Sequence, residues 1–141
     1  MEFTVERKVP ASAAELRVIL DEIIAELRDG RFPCGDLDEI KLAIQEALAN
    51  AFRHGSPEHE DQLIVVQAHW NDREGLHIIV NDEGPGFDPA VIPDPTTPEN
   101  LEKEGGRGLF LMQELMDEVE FRRGGREVHL RRKPRPPGDS D

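Results

Sequence analysis

In the run Glu46-Ala47-Leu48-Ala49-Asn50-Ala51-Phe52-Arg53-His54-Gly55, the residues Glu46, Asn50 and His54 recur at a spacing of four. That interval places side chains on one face of an α-helix. A carboxylate and a carboxamide one turn apart give that face the look of a site. Ala43, Ala47 and Ala51 flank the stripe, and their small side chains leave room for a ligand close to the helix. Taken alone, the pattern also describes the solvated stripe of any amphipathic helix. Two later segments carry chemistry of their own. Ile78-Ile79-Val80-Asn81 runs as an apolar strand into Asp82-Glu83-Gly84-Pro85-Gly86. An aspartate at a strand end can accept a hydrogen bond from an exocyclic amine such as that of adenine, and Gly84 and Gly86 let backbone approach a flat ring. An ordinary turn has the same composition. Gly105-Gly106-Arg107-Gly108-Leu109 then leads into Phe110, Leu111, Met112, Leu115 and Met116 at helical spacing. A glycine-rich helix start exposes unpaired amides at the positive end of the helix dipole, which suits phosphate oxygens, and Arg107 adds charge. Its alternative is a hinge before a core helix.

These residues need elements to hold them. Phe3, Val5 and Val9 alternate as a first strand. Ser12 and Glu15 form a capping box for a helix whose apolar side is Leu16, Ile19, Leu20, Ile23, Ile24 and Leu27, with Gly30 and Pro33 at its end. Arg17, Asp21 and Arg28 fall on its solvent side, a solvated face or a docking surface. Asp36 and Glu39 have the same capping-box form before the helix that carries Glu46, with Leu37, Ile40, Ile44, Leu48 and Ala51 as its core side and Gly55-Ser56-Pro57 as its stop. Leu63 to Trp70 and Leu76 to Asn81 read as strands of a hairpin turning around residues 71–75. Residues 89–104, with Pro93, Pro95 and Pro98, read as a mobile loop. A helix from Leu109 to about Asp117 follows, and then a hairpin. Gly124-Gly125 as a two-residue turn would pair Phe121 with Val128 and Val119 with Leu130.

In order and spacing, the three chemical blocks resemble the N, G1 and G2 boxes of the GHKL ATPase superfamily. Within it the chain resembles the anti-sigma factor serine kinases of bacterial partner-switching systems. The resemblance rests on Glu46-Ala47 with Asn50-Ala51 and His54-Gly55, and on Gly105 through Leu111 with Leu115 through Val119. It spans about Phe3 to Leu130. It implies ATP and Mg2+ as cofactors and Glu46 as general base, with Asn50 as the magnesium ligand. It also implies Asp82 as the adenine reader, Gly84 and Gly86 as purine-loop glycines, and Gly106, Arg107 and Gly108 as phosphate contacts. His54 and Leu109 complete the expected nucleotide contacts. In the family, the loop over residues 89–104 is the nucleotide lid.

The composition fits one domain. A chain of 141 residues buries a real core, so we expect a single ATP-binding domain over 1–132 and a disordered tail over 133–141, rich in proline and polar residues. Lys plus Arg is 17 against 30 Asp plus Glu, a net −13 that argues against direct binding of a nucleic-acid backbone. The one cysteine, Cys34, excludes a disulfide framework and makes the cytoplasm the expected compartment. There is no membrane-spanning apolar run. The remaining histidines, His59, His69, His77 and His129, read as surface or strand residues. P-loop and H-R-D kinase patterns are absent.

The element order predicts an α/β fold, a two-layer sandwich of the Bergerat type with helices over one face of a mixed, mainly antiparallel sheet. The resemblance implies a protein serine/threonine kinase that phosphorylates a STAS-domain antagonist and sequesters a sigma factor, with a homodimer as a further expectation. The alternative is a nucleotide-gated binding regulator of the same fold with little or no kinase activity.

Overall fold

Alternation of side chains builds the sheet, and the hydrophobic stripes of the helices cover one side of it. A computed structural model of the protein describes residues 2–10, 12–55, 63–82 and 104–135, and for residues 52–55 and 104–109 the backbone alone. The elements run β1 (Glu2–Pro10), α1 (Ala13–Asp29), α2 (Leu37–Gly55), β2 (Leu63–Asn71), β3 (Gly75–Asp82), α3 (Glu104–Leu115), β4 (Glu118–Arg122) and β5 (Glu127–Arg132). The strands form one five-stranded sheet in the order β1-β2-β3-β5-β4. All four ladders are antiparallel, and among the described residues the parallel component of the expected mixed sheet is the isolated bridge between Cys34 and Arg135. The α/β two-layer arrangement is the expected one.

Ile64, Val66, Ala68 and Trp70 of β2, Leu76, Ile78 and Val80 of β3 and Val128 and Leu130 of β5 are buried on the covered side. They form one core with Leu16, Ile19, Leu20, Ile23 and Leu27 of α1 and Ile40, Ile44 and Leu48 of α2. These are the residues whose period of two in strands and 3.6 in helices marks an inner face. Pairing of neighbouring strands then sets the register. Phe3 lies opposite Trp70 and Val5 opposite Ala68.

The helix ends are specified locally, with two departures from expectation. At the start of α1 the Ser12 hydroxyl accepts the Glu15 N–H at 3.2 Å. At its end, the Arg31 N–H reaches the Arg28 carbonyl at 3.2 Å and the Phe32 N–H reaches the Leu27 carbonyl at 3.1 Å, a Schellman closure. Arg31, at φ 55°, takes the left-handed position and Gly30 does not, having φ −80°. Glycine is required at 30 for space, because a Cβ there would lie 2.4 Å from the Phe32 ring. That ring fills the corner between Phe3 and Trp70, at centroid distances of 4.8 and 5.6 Å. At the start of α2 the Asp36 carboxylate accepts the Asp38 N–H at 2.8 Å. Glu39 does not complete the capping box, because Arg132 takes its carboxylate at 2.9 Å.

The second hairpin has the predicted register, Val119 opposite Leu130 and Phe121 opposite Val128. Its turn differs. The ladder ends at Arg122 and Glu127, leaving residues 123–126 as a four-residue connection with Arg123, Gly124 and Gly125 all at positive φ. The chain also stays tied beyond 132, where the disordered tail was expected to begin. The Lys133 N–H donates to the Asp117 carboxylate at 2.6 Å, the Arg135 N–H donates to the Pro33 carbonyl at 2.6 Å, and the Arg135 guanidinium pairs with Asp117. Residues 136–141 lie outside the described residues. No helix among the described residues is long and apolar enough to cross a membrane.

Candidate functional site

The candidate site residues lie on α2, at the end of β3 and at the start of α3. Glu46 and Asn50 lie one turn apart on α2, and both are half-buried. Ala43 and Ala47 are fully buried and Ala51 is 5% exposed, so the alanines belong to the core. The sequence pattern places Ala51 on the core side, and expects the small side chains of all three to leave room for a ligand close to the helix. The close approach they permit is instead between core elements, since α2 packs on β3 and against α3. His54 lies in the last turn of α2, with its side chain outside the described residues.

Asp82 is the last residue of β3 and is 5% exposed, one of few buried polar side chains on the covered side of the sheet. Its backbone is fixed on both flanks. It pairs with Ile64 of β2, and its N–H donates to the Arg126 carbonyl at 2.9 Å. A buried carboxylate on so fixed a strand end is an acceptor of defined position. Gly84 and Gly86, and the expected lid over 89–104 up to residue 103, fall outside the described residues.

The glycine-rich segment is placed differently from expectation. The helix begins at Glu104 and not at Leu109, so Gly105, Gly106, Arg107, Gly108 and Leu109 make its first turns. The helix dipole argument survives this shift, because the first turn of any helix leaves its N–H groups without intrahelical partners. Gly105 and Gly106 carry N–H groups of that turn, whereas the Arg107 N–H falls where the α-helical ladder begins. Of this segment the described residues give backbone alone. Met112 and Met116 are buried and seat the helix on the core.

The three parts lie away from one corner of the sandwich. At that corner, Arg132 contacts Glu39 near the start of α2 and the Leu115 carbonyl at the end of α3, and it pairs in the sheet with Leu76 near the start of β3. From that common corner, Asn50 lies about 16 Å along α2, Gly106 about 14 Å along α3 and Asp82 about 20 Å along β3. A buried carboxylate, a carboxylate and carboxamide pair and the first turn of a glycine-rich helix thus all lie away from that corner. That donor set suits a nucleoside triphosphate with an oxygen-liganded divalent cation.

Sequence reasoning did not find two other polar groupings. One is the Arg132 corner. The other lies on the far side of the sheet, where His77 Nε2 is 2.9 Å from His129 Nδ1, and His129 Nε2 is 2.9 Å from the Glu127 carboxylate. Burial, and then the positive charge of Arg131 and the other histidines, lowers the His77 pKa to about 4. Period-two spacing in β3 and β5 put these histidines on one face, but their contact depends on strand order. No group of three or more His, Cys, Asp or Glu among the described residues is arranged to hold a metal ion. The Asn50 position expected for Mg2+ is a single protein ligand.

Comparison with known proteins agrees with the geometry. The family model described as "Histidine kinase-like ATPase domain" matches residues 9–132. The chain is 31% identical over 121 residues to "Serine-protein kinase RsbW" of Staphylococcus aureus strain JH9, covering 82% of this chain and 76% of that protein. The protein of the same name from strain Newman matches with the same identity and coverage. The chain therefore belongs to the histidine kinase-like ATPase family, in the anti-sigma factor serine kinase branch of the GHKL superfamily.

Proposed function

We propose that the protein is an ATP-dependent protein serine/threonine kinase that acts as an anti-sigma factor. In this reading it phosphorylates a STAS-domain antagonist, and it sequesters a sigma factor. The observation that carries the reading is the placement of Glu46 and Asn50, half-buried and one turn apart, on a helix packed over a strand that ends in buried Asp82.

Bound ATP supplies the transferable phosphoryl group, and Mg2+ offsets the charge of its oxygens. The Asp82 carboxylate accepts a hydrogen bond from the adenine amine and orients the base. Gly84 and Gly86, outside the described residues, are the purine-loop glycines of this reading. In this reading the Gly106 amide and the charge of Arg107 hold phosphate oxygens, and Gly108, Leu109 and His54 are the remaining nucleotide contacts. The Asn50 carboxamide oxygen would hold the cation. Glu46 orients the substrate hydroxyl and takes its proton as the oxygen bonds to the γ-phosphorus and the bond to the departing ADP oxygen breaks on the opposite side. The exposed side of α1, with Arg17, Asp21 and a 64%-exposed Val18, is the surface we expect a protein partner to meet.

The test is transfer of labelled γ-phosphate from Mg-ATP to proteins in a lysate of the source organism, with wild type and Glu46→Gln compared. The expected result is one small labelled protein with the wild type. The variant should transfer about 10²- to 10⁴-fold less while still binding ATP. Absence of labelling by both, with ATP binding intact, would favour the nucleotide-gated binding regulator. Absence of ATP binding would remove both readings.

A further inference from the structure

Arg132 stands where the strand alternation calls for an apolar residue. Val128 and Leu130 precede it on the covered side of β5, and it is 0% exposed. Its Nε donates to the Cys34 carbonyl at 2.8 Å, its Nη1 to the Leu115 carbonyl at 2.6 Å and its Nη2 to the Glu39 carboxylate at 2.9 Å. These acceptors belong to the α1–α2 connection, the last residue of α3 and the first turn of α2. A buried cation is costly unless its donors are matched. A planar fork of fixed N–H groups is the side chain able to match acceptors from separate segments at once. Asp117 and Arg135 reinforce the same corner, Asp117 by accepting from Lys133 and pairing with Arg135, and Arg135 by donating to the Pro33 carbonyl.

We infer that Arg132 is a positioning residue for the nucleotide site, acting from the opposite end of the sandwich. It fixes the end of α3 to the start of α2 and so sets the separation of these helices where Glu46, Asn50 and the first-turn amides of α3 lie. The inference rests on the functional reading above. The lever is long enough to matter. From Leu115 back to Gly106 is about 14 Å of helix, so a tilt of about 5° at the corner moves the glycine turn by about 1 Å. Displacements of that size are known to change rates by as much as about 100-fold. Apolar packing at 132 would keep the core closed without fixing this angle, because carbonyl and carboxylate oxygens accept along defined directions.

Arg132→Lys keeps the charge and loses the fork, and Glu39→Gln keeps the shape and loses the charge. Ile23→Ala, in α1, weakens the core without touching the corner and is the control. Amide hydrogen exchange of the ligand-free proteins is compared with urea denaturation, so that each rate is referred to its own global stability. We expect exchange in residues 105–112 to rise about tenfold beyond the global change in both corner variants and to follow the global change in Ile23→Ala. The Kd for Mg-ATP should rise about tenfold in the corner variants and stay near wild type in the control. Exchange that tracks global stability in every variant, or wild-type Mg-ATP affinity in both corner variants, overturns the proposal. Wild-type protein that binds no Mg-ATP overturns the functional reading first and this one with it. Should Arg132→Lys not fold, Glu39→Gln alone decides between these outcomes.

Discussion

The two faces of the sheet are built from the same strands but solve different problems. On the covered face, β2 and β3 present Ile64, Val66, Ala68, Trp70, Leu76, Ile78 and Val80, all at most 1% exposed. On the other face the same strands present Val65, Gln67, His69, His77 and Ile79, most of them half-buried and His69 exposed. There β5 adds His129, 5% exposed although no described helix lies above it. The covered face gains stability from apolar area removed from water, with no directional requirement. The uncovered face relies on paired polar groups, such as His77 with His129 and His129 with Glu127, and each pair works in only one geometry and charge state. Stability is therefore concentrated on one side of the sheet, and sensitivity to conditions on the other.

Adjacent residues of β3 give the strongest way to break this comparison. Ile78→Ala should lower unfolding free energy by about 2–5 kcal/mol, and Ile79→Ala by roughly 1 kcal/mol, both read from urea denaturation. Equal losses would mean that the outer face is covered as well. The pH dependence sharpens the contrast with a smaller effect. The His77 pKa is lowered to about 4, first by burial and then by Arg131, His129, His69 and Arg122. Between about 4 and the ordinary value near 6.5, the unfolded chain binds a proton that the folded chain refuses. Stability should thus be fully present above about pH 6.5 and fall as pH drops toward 4, and His77→Gln should flatten that part of the curve. A curve unchanged by the substitution would show that His77 titrates freely. The smallest effect belongs to the exposed Arg122–Glu120 pair at 2.8 Å, where Glu120→Gln should leave the urea midpoint unchanged within error.

Much of the architecture is legible locally. The Ser12 cap, the 3.6-residue stripe of α1 and the pairing of Phe121 with Val128 follow from short-range patterns, because the groups that satisfy them lie within one turn or one hairpin. The helix carrying Glu46 and Asn50 and the strand ending at Asp82 were readable for the same reason. What escaped depends on distance along the chain. Asp36 and Glu39 have the spacing of a capping box, yet Glu39 turns to a guanidinium 93 residues away. Arg132 in turn looks like one more basic residue in a polar C-terminal run until the strand order brings β5 next to β3. The alanine stripe of α2 announced close approach without saying whether ligand or protein makes it. Helix α3 starts at Glu104, ahead of the Leu109 that the pattern predicts, because the core contacts of Met112 and Met116 outweigh in the fold the low helix propensity of its glycines.

Cys34 offers an unplanned instrument. It is the sole sulfhydryl of the chain, it is 1% exposed, and burial pushes its pKa up against the opposing pull of Arg132. An alkylating reagent can reach such a sulfur only while the segment from Pro33 to Cys34 is lifted away from β5. Under excess reagent the labelling rate becomes a stopwatch for that event, readable by mass spectrometry on the unmodified protein, with no engineered probe.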